Sequence, residues 1–121
     1  MIGYVTLGTN DLSKAAEFYD KVFAEIGATR VYDYETFVAW RVAEGEPIFS
    51  VIKPFNQSPA SVGNGVMIAL KVDSQELVNS LHAKALAMGG QDEGAPGKRE
   101  SGFYCGYFRD LDGNKLNFFH I

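Results

Sequence analysis

The feature that most constrains the fold is a repeated order of strand-like and helix-like segments. Residues 4–7 and 67–70 are similar β-rich segments, and each precedes an amphipathic helical pattern that ends at glycine. Three further strand-like runs follow the first helical pattern, and two follow the second. Internal repetition of this kind indicates two β-α-β-β-β modules. They span about residues 1–58 and 63–121, and because neither could bury much apolar surface alone, we expect them to pair as one domain over residues 1–121.

Local patterns predict the elements of each module. Strands are predicted at 2–7, 29–34, 37–42, 48–52, 66–72, 103–108 and 115–120. Apolar residues at helical spacing predict a helix over about 12–26, with Asp11 as its N-cap and Gly27 just after its end. A second helix is predicted after Asp73, where Glu76 three positions later indicates a capping box. The segment 93–102 is rich in Gly and Pro and is predicted to be a loop.

Two facing modules of this kind predict an α+β fold, in which a curved mixed sheet surrounds a cleft and the helices lie outside. Strand alternation divides the side chains between the two sides of the sheet. The side packed under the helices is predicted to carry Val5, Leu7, Ile68 and Leu70. The cleft side is predicted to carry Tyr4, Thr6, Met67 and Ala69, and Asn117 and Phe119 share one side of the last strand.

Charge and composition exclude several classes of partner. The formal net charge is -4 and the pI is near 5.1, so that no basic field favours a nucleic acid or an anionic membrane. No basic, apolar leader and no long apolar run occurs, which predicts a cytoplasmic protein without a membrane span. The single Cys105 cannot form an internal disulfide, and a buried, unreactive thiol is expected.

Four segments in order resemble one superfamily. Residues 3–12, 18–20, 66–73 and 108–116 resemble the vicinal oxygen chelate superfamily, with Leu111 where a proline is usual. This superfamily includes glyoxalase I, extradiol dioxygenases, fosfomycin-resistance enzymes and bleomycin-binding proteins. The resemblance covers nearly the whole chain and implies the same paired-module fold.

The resemblance also implies where metal ligands would lie. The corresponding positions are Tyr4, Ser50, Met67 and Asn117, with the register at Ser50 uncertain by one residue. The metal enzymes usually carry His or Glu at these positions, and none of the four residues here is a good ligand for a hard divalent ion. His82 is expected to pack in the second helix, and His120 to lie on the side of its strand opposite Asn117. We therefore expect no metal cofactor, with a divalent metal as the less favoured alternative.

The predicted cleft has apolar walls and a few polar groups, which suits a small organic ligand. Its predicted lining consists of Tyr4, Thr6, Trp40, Ser50, Met67, Ala69, Asn117 and Phe119. Core packing is an equal alternative for Trp40 and Phe119. Lys98, Arg99 and Arg109 either bind an anionic substrate at the rim or are solvated, and solvation is the simpler account.

Two functional hypotheses remain open. The first is a metal-free protein that binds a small molecule, as the bleomycin-binding relatives do. The second is an enzyme of glyoxalase type, a lyase or dioxygenase, that uses atypical metal ligands or Tyr4 as a general acid or base. A third, weaker hypothesis is a cleft filled by side chains. A homodimer is expected, because the family commonly pairs its modules and exposed sheet edges need protection.

Overall fold

The computed structural model describes all residues, 1–121. The chain forms two compact units. The units are Met1–Val62 and Gly63–Ile121. Each contains one α-helix and one four-stranded mixed sheet, with the elements in the order β-α-β-β-β. The predicted α+β class and the repeated element order are therefore confirmed.

The first unit begins with strand β1 (Tyr4–Gly8) and helix α1 (Leu12–Phe23), which continues as a 3₁₀ turn over Ala24–Ile26. Strands β2 (Thr29–Asp33), β3 (Phe37–Arg41) and β4 (Ile48–Ile52) follow. The side chain of Asp11 accepts a hydrogen bond from the Lys14 amide, as predicted for an N-cap. Gly27 ends the helical segment with φ 73°, a left-handed conformation that glycine adopts without strain.

The first sheet has the strand order β1-β4-β3-β2, in which β1 and β4 are parallel and the other neighbours antiparallel. Its helix-covered face meets an aromatic cluster on α1. Tyr19 lies 4.7 Å from Phe49 between ring centroids, and Phe23 lies 5.1 Å from Phe49. Leu7 is buried on this face, as predicted, and Val5 pairs in register with Phe49.

The second unit contains β5 (Ile68–Lys71), α2 (Gln75–Ala87), β6 (Gln91–Lys98), β7 (Tyr104–Arg109) and β8 (Lys115–His120). Its sheet has the order β5-β8-β7-β6, with β5 and β8 parallel. Its core lies between α2 and the sheet and includes Leu81, Phe108, Leu116 and Phe118, each at 0% exposure. The register pairs Ile68 with Leu116 and Leu70 with Phe118, so the predicted helix-facing side of β5 is correct.

Several boundaries differ from the sequence prediction by one to three residues, and three of them concern turns and caps. Strand β5 starts at Ile68 rather than at residue 66, because residues 63–66 form a turn closed by a hydrogen bond from the Val66 amide to the Gly63 carbonyl (3.4 Å). The N-cap of α2 is Ser74 and not Asp73, since the Ser74 hydroxyl accepts from the Leu77 amide at 3.1 Å. The first α-helix ends at Phe23, and only the tighter 3₁₀ turn reaches Ile26.

The prediction of a loop over 93–102 is wrong over most of that range, because β6 extends to Lys98. The strand lies at the sheet edge and has a neighbour on one side only, so Pro96, which has no backbone donor, is tolerated there. Register shifts occur between Asp92 and Gly94 and between Gly94 and Gly97. Glycine and proline in this strand therefore mark bulges in a paired edge strand instead of a loop.

The turn between β7 and β8 is organised by Asp110. One carboxylate oxygen of this buried side chain accepts from the amides of Asp112 and Asn114, both at 2.9 Å, and the other accepts from Asn114 Nδ2 at 3.0 Å. Gly113 has φ 87°. In the turn sequence Asp-Leu-Asp-Gly-Asn, Asp110 supplies the acceptor, Asp112 and Asn114 supply the donors, and Gly113 adopts the left-handed conformation.

Candidate functional site

The face of the first sheet opposite α1, called here the open face, forms an aromatic pocket. Its volume is about 660 Å³. It is lined by Tyr4, Thr6, Tyr32, Tyr34, Phe37, Ala39, Ile48, Ser50 and Ile52. None of these residues is charged. Strand pairing explains the set, because Thr6, Ser50 and Ala39 are cross-strand partners and share one face of the sheet.

Three aromatic rings form one side of the aromatic pocket. Tyr32 and Tyr34 stack with an interplanar angle of 20° and centroids 6.1 Å apart, and Tyr34 lies 5.1 Å from Phe37. Tyr4, on β1 at the opposite edge of the sheet from β2, is 71% exposed. Since large aromatic side chains are usually buried, an exposed group of this kind is typical of a surface that binds another molecule.

The predicted site residues of the first unit come together, with one exception. Tyr4, Thr6 and Ser50 all line the aromatic pocket. The Ser50 hydroxyl donates to the Val5 carbonyl at 2.8 Å, so its proton is engaged and the group is not an activated nucleophile. No protein group accepts from or donates to the Tyr4 hydroxyl. A general acid or base is normally oriented by such a partner, and the geometry therefore gives no support to catalysis by Tyr4.

The exception is Trp40, which does not lie in the cleft but packs in the core, the alternative that the sequence had left open. Its register partner is Phe49, so both side chains lie on the helix-covered face, one residue out of phase with Ala39. Trp40 is 1% exposed, and its indole Nε1 donates to Asp20 Oδ1 of α1 at 2.8 Å. Arg30 donates to both carboxylate oxygens of Asp20, at 2.9 and 2.6 Å. The pKa of Asp20 lies below its usual value of 3.8. The main cause is the hydrogen bond from Arg30, and burial opposes it with a smaller effect.

The predicted site residues of the second unit lie on the face of its sheet opposite α2. Ala69 and Asn117 are register partners, and Phe119 pairs with Lys71 on the same face. Phe119 stacks on Phe103 with centroids 5.3 Å apart and an interplanar angle of 16°. Asn117 is 4% exposed, and its Oδ1 has no hydrogen-bond partner, which is costly for a buried acceptor. Met67 precedes β5 and is 39% exposed.

The basic residues singled out in the sequence have different environments. Arg99 donates to the carbonyls of Gly97 and Ala95 at 2.9 and 2.8 Å, and its guanidinium lies 5.3 Å from the Tyr107 ring centroid. Arg109 pairs with Glu93 at 2.9 Å. These bonds fix both side chains to the second unit, so the prediction that they bind an anion gains no support.

Both histidines lie within hydrogen-bond distance of backbone carbonyl groups, and the cysteine is buried. His82 is buried, and its Nε2 lies 3.0 Å from the Tyr107 carbonyl and 3.2 Å from Asp92 Oδ1. His120 Nδ1 lies 3.0 Å from the Val72 carbonyl. Cys105 is buried, as expected.

The residues at the implied ligand positions do not fit a metal centre. A Tyr phenol, a Ser hydroxyl already bonded to a carbonyl, a Met thioether and an Asn amide carry no negative charge and no imidazole. No three His, Cys, Asp or Glu side chains lie together anywhere in the chain as a possible metal-binding group.

Sequence reasoning missed three residues of the aromatic pocket: Tyr32, Tyr34 and Phe37. The sequence did contain an indication of this face, because Tyr32 and Tyr34 are two positions apart and an alternating strand places such residues on one face. The sequence alone did not reveal the strand register that places this face beside Ser50. In the structure Tyr32 pairs with Ala39, and Ala39 pairs with Ser50.

Two β-α-β-β-β units, each with a helix on one face of a mixed sheet, define the glyoxalase-like class of folds. A sequence model of the Glyoxalase/Bleomycin resistance protein/Dioxygenase superfamily matches residues 1–118, and the chain belongs to this superfamily. A search of curated proteins found no match. None of the helices is both long and apolar enough to cross a membrane.

Solved structures show the same fold. The chain is 32% identical to a glyoxalase/bleomycin resistance protein from Albidiferax ferrireducens T118, with a TM-score of 0.92 and coverage of 100% of this chain and 98% of that one. The hypothetical protein SA1046 from S. aureus is 28% identical, with a TM-score of 0.78 and coverage of 100% and 93%. A lactoylglutathione lyase from Agrobacterium tumefaciens is 23% identical, with a TM-score of 0.73 and coverage of 99% and 92%, a likeness of fold alone.

Proposed function

We propose that this protein binds a small, planar organic molecule in the aromatic pocket of its first unit. The observation that carries the proposal is the group of exposed rings, Tyr4, Tyr32 and Tyr34, around an uncharged pocket of about 660 Å³. Apolar walls supply affinity, and a few hydroxyl groups orient the ligand. Similar volumes hold drug-sized molecules in other proteins.

The ligand chemistry follows from the lining. Flat rings favour another flat ring, because offset or edge-on contacts between aromatic groups add about 0.5–1.5 kcal/mol beyond surface burial. A pocket without charged side chains gives a strongly anionic ligand no partner and imposes a desolvation cost on it. The proposed ligand is therefore an uncharged aromatic compound with hydroxyl or carbonyl groups within reach of Thr6 and Tyr4.

A binding role without chemistry is preferred to the enzyme hypothesis. Ser50 is engaged with the Val5 carbonyl, Tyr4 has no orienting partner, and the implied metal-ligand positions carry unsuitable donors. Superfamily membership alone does not identify a reaction, since one fold supports many functions. No metal cofactor is included in the proposal.

The experiment is a ligand screen read by thermal shift and confirmed by calorimetry. A ligand that binds only the folded state raises the melting temperature. Planar aromatic compounds are expected to do so, and their saturated analogues are not. Tyr34→Leu should weaken a hit about three- to tenfold, because it keeps an apolar side chain but removes the ring contact.

The matched control is Tyr104→Leu, which alters a tyrosine of the second unit whose hydroxyl donates to Asn79. This variant should leave the affinity unchanged. Equal loss of affinity in both variants would mean that the hits bind elsewhere. A hit that is consumed by the protein would instead favour the enzyme hypothesis.

A further inference from the structure

A second pocket of the first unit lies beside the segment 53–60 and has a different chemistry. Its volume is about 750 Å³. Lys53, Pro54, Phe55, Gln57 and Ser58 from the segment contribute to its lining. Thr36, the residue before β3, also lines this pocket. We call it the loop pocket, and it contains a cation, which the aromatic pocket lacks.

The segment that forms the loop pocket is held in a defined shape. Asn10 acts as a clamp: its Oδ1 accepts from the Ala60 amide at 2.7 Å, and its Nδ2 donates to the Ala60 carbonyl at 3.2 Å. The other end is fixed by the Lys53 amide, which donates to the Thr36 carbonyl at 2.8 Å. A segment fixed at both ends offers its side chains to a ligand with little further ordering cost.

Two residues of the segment are unusual for a surface loop. Gln57 has φ 64° and is the only residue other than glycine with a positive φ. Such strained positions persist where the surroundings specify them, and they are concentrated at ligand sites. Phe55 is 100% exposed, although phenylalanine is among the residues most often buried. Both residues line the loop pocket.

Four side chains of the loop pocket can donate hydrogen bonds: Lys53, Gln57, Thr36 and Ser58. None of the ion pairs of the chain involves Lys53, so its ammonium has no carboxylate partner. The Gln57 amide and the hydroxyls of Thr36 and Ser58 line the same pocket. A single cation with neighbouring neutral donors matches one negative charge, and a carboxylate can accept from several donors at once.

We propose that the loop pocket binds an aromatic carboxylate, with the carboxylate at Lys53 and the ring against Phe55. The ring would cover an apolar side chain that is otherwise fully in water, and the carboxylate would neutralise an unpaired cation. This site is separate from the aromatic pocket and does not depend on its function, although Ile52 borders both.

The test is a titration of the isotope-labelled whole chain with sodium benzoate, followed by amide chemical shifts. Benzoate is expected to shift the amides of Thr36 and of the residues other than proline in 53–60 in a saturable way. Benzamide has the same shape without the charge, and acetate has the charge without the ring. Each should bind about tenfold more weakly than benzoate, which corresponds to a loss of about 1.4 kcal/mol of binding free energy, the size expected for one charge-assisted hydrogen bond.

Variants assign the two contacts. Lys53→Met should weaken benzoate about tenfold and leave benzamide unchanged, while Lys53→Arg should retain most of the affinity. Lys71→Met is the matched control, because Lys71 is also an exposed lysine but lies on β5 of the second unit. Phe55→Ser should weaken benzoate and benzamide equally.

Three results would overturn the proposal: no saturable shifts with benzoate, shifts confined to the lining of the aromatic pocket, or undiminished benzoate affinity in Lys53→Met. Phenyl phosphate distinguishes the anion. If it binds more tightly than benzoate, the site selects phosphate and the assignment to a carboxylate is wrong.

Discussion

Replacing Asp20 with alanine is expected to destabilise the protein by about 2–3 kcal/mol. The larger part comes from Trp40, which is 1% exposed and would lose the acceptor of its indole N–H. A buried donor without a partner costs about 1–3 kcal/mol. The lost ion pair with Arg30 adds only about 0–1 kcal/mol, because the two side chains are 33% and 40% exposed and solvent screens them.

Two matched variants separate these contributions. Asp20→Asn removes the charge but keeps an oxygen that can accept from Trp40, so it should cost about 1 kcal/mol or less. Asp33→Asn removes the other carboxylate on Arg30, at 3.0 Å, and should cost a few tenths of a kcal/mol, since Asp33 is exposed. Urea unfolding followed by fluorescence of the single tryptophan measures all three differences.

The pH dependence has a defined sign. The pKa of Asp20 is lower in the folded protein than the usual 3.8, chiefly because of the Arg30 hydrogen bond. The stability contributed by this group is therefore present above pH 3.8 and is lost as the pH falls through the lower folded pKa. The difference between wild type and Asp20→Asn should stay constant from about pH 5 to pH 8 and shrink below about pH 4.

The reasoning would be refuted if Asp20→Ala cost no more than Asp33→Asn. In that case the Trp40 indole would have another acceptor, and the contact between α1 and β3 would not depend on Asp20. A change in the denaturant slope would point instead to a change in the unfolded state or to loss of two-state behaviour.

Three further predictions concern the turn, metals and assembly. Asp110→Ala should cost about 2–4 kcal/mol in urea unfolding, because three donors at the turn between β7 and β8 lose a buried acceptor. Asp112→Ala, two positions further along, should cost much less, because Asp112 contributes its backbone amide to these bonds and not its side chain. Addition of Zn²⁺, Ni²⁺, Mn²⁺ or Fe²⁺ to metal-free protein should leave the melting temperature unchanged, and a stoichiometric metal that raises it would contradict the ligand assignment. Light scattering on a sizing column should give about twice 13.3 kDa, since β1 and β2 are free edges of their sheet, and a monomer at high concentration would disprove the predicted homodimer.

Much of the fold was predictable because it depends on short-range signals. Capping by Asp11, the left-handed Gly27 and the hairpin turn at Asp110 follow from residues only a few positions apart. Alternation likewise predicted the open-face positions of Tyr4 and Thr6, and the repeat predicted the order of the elements.

The tertiary structure decided what depends on partners distant in the chain. The register between β3 and β4 places Trp40 against α1 and Ala39 in the aromatic pocket, a difference of one residue that the sequence of β3 alone does not reveal. Pairing with β7 makes β6 a strand despite its glycines and proline. The segment that lines the loop pocket is fixed at one end by hydrogen bonds between Asn10 and Ala60, 50 positions apart. A contact over that separation is set by packing of the folded chain and not by local preference.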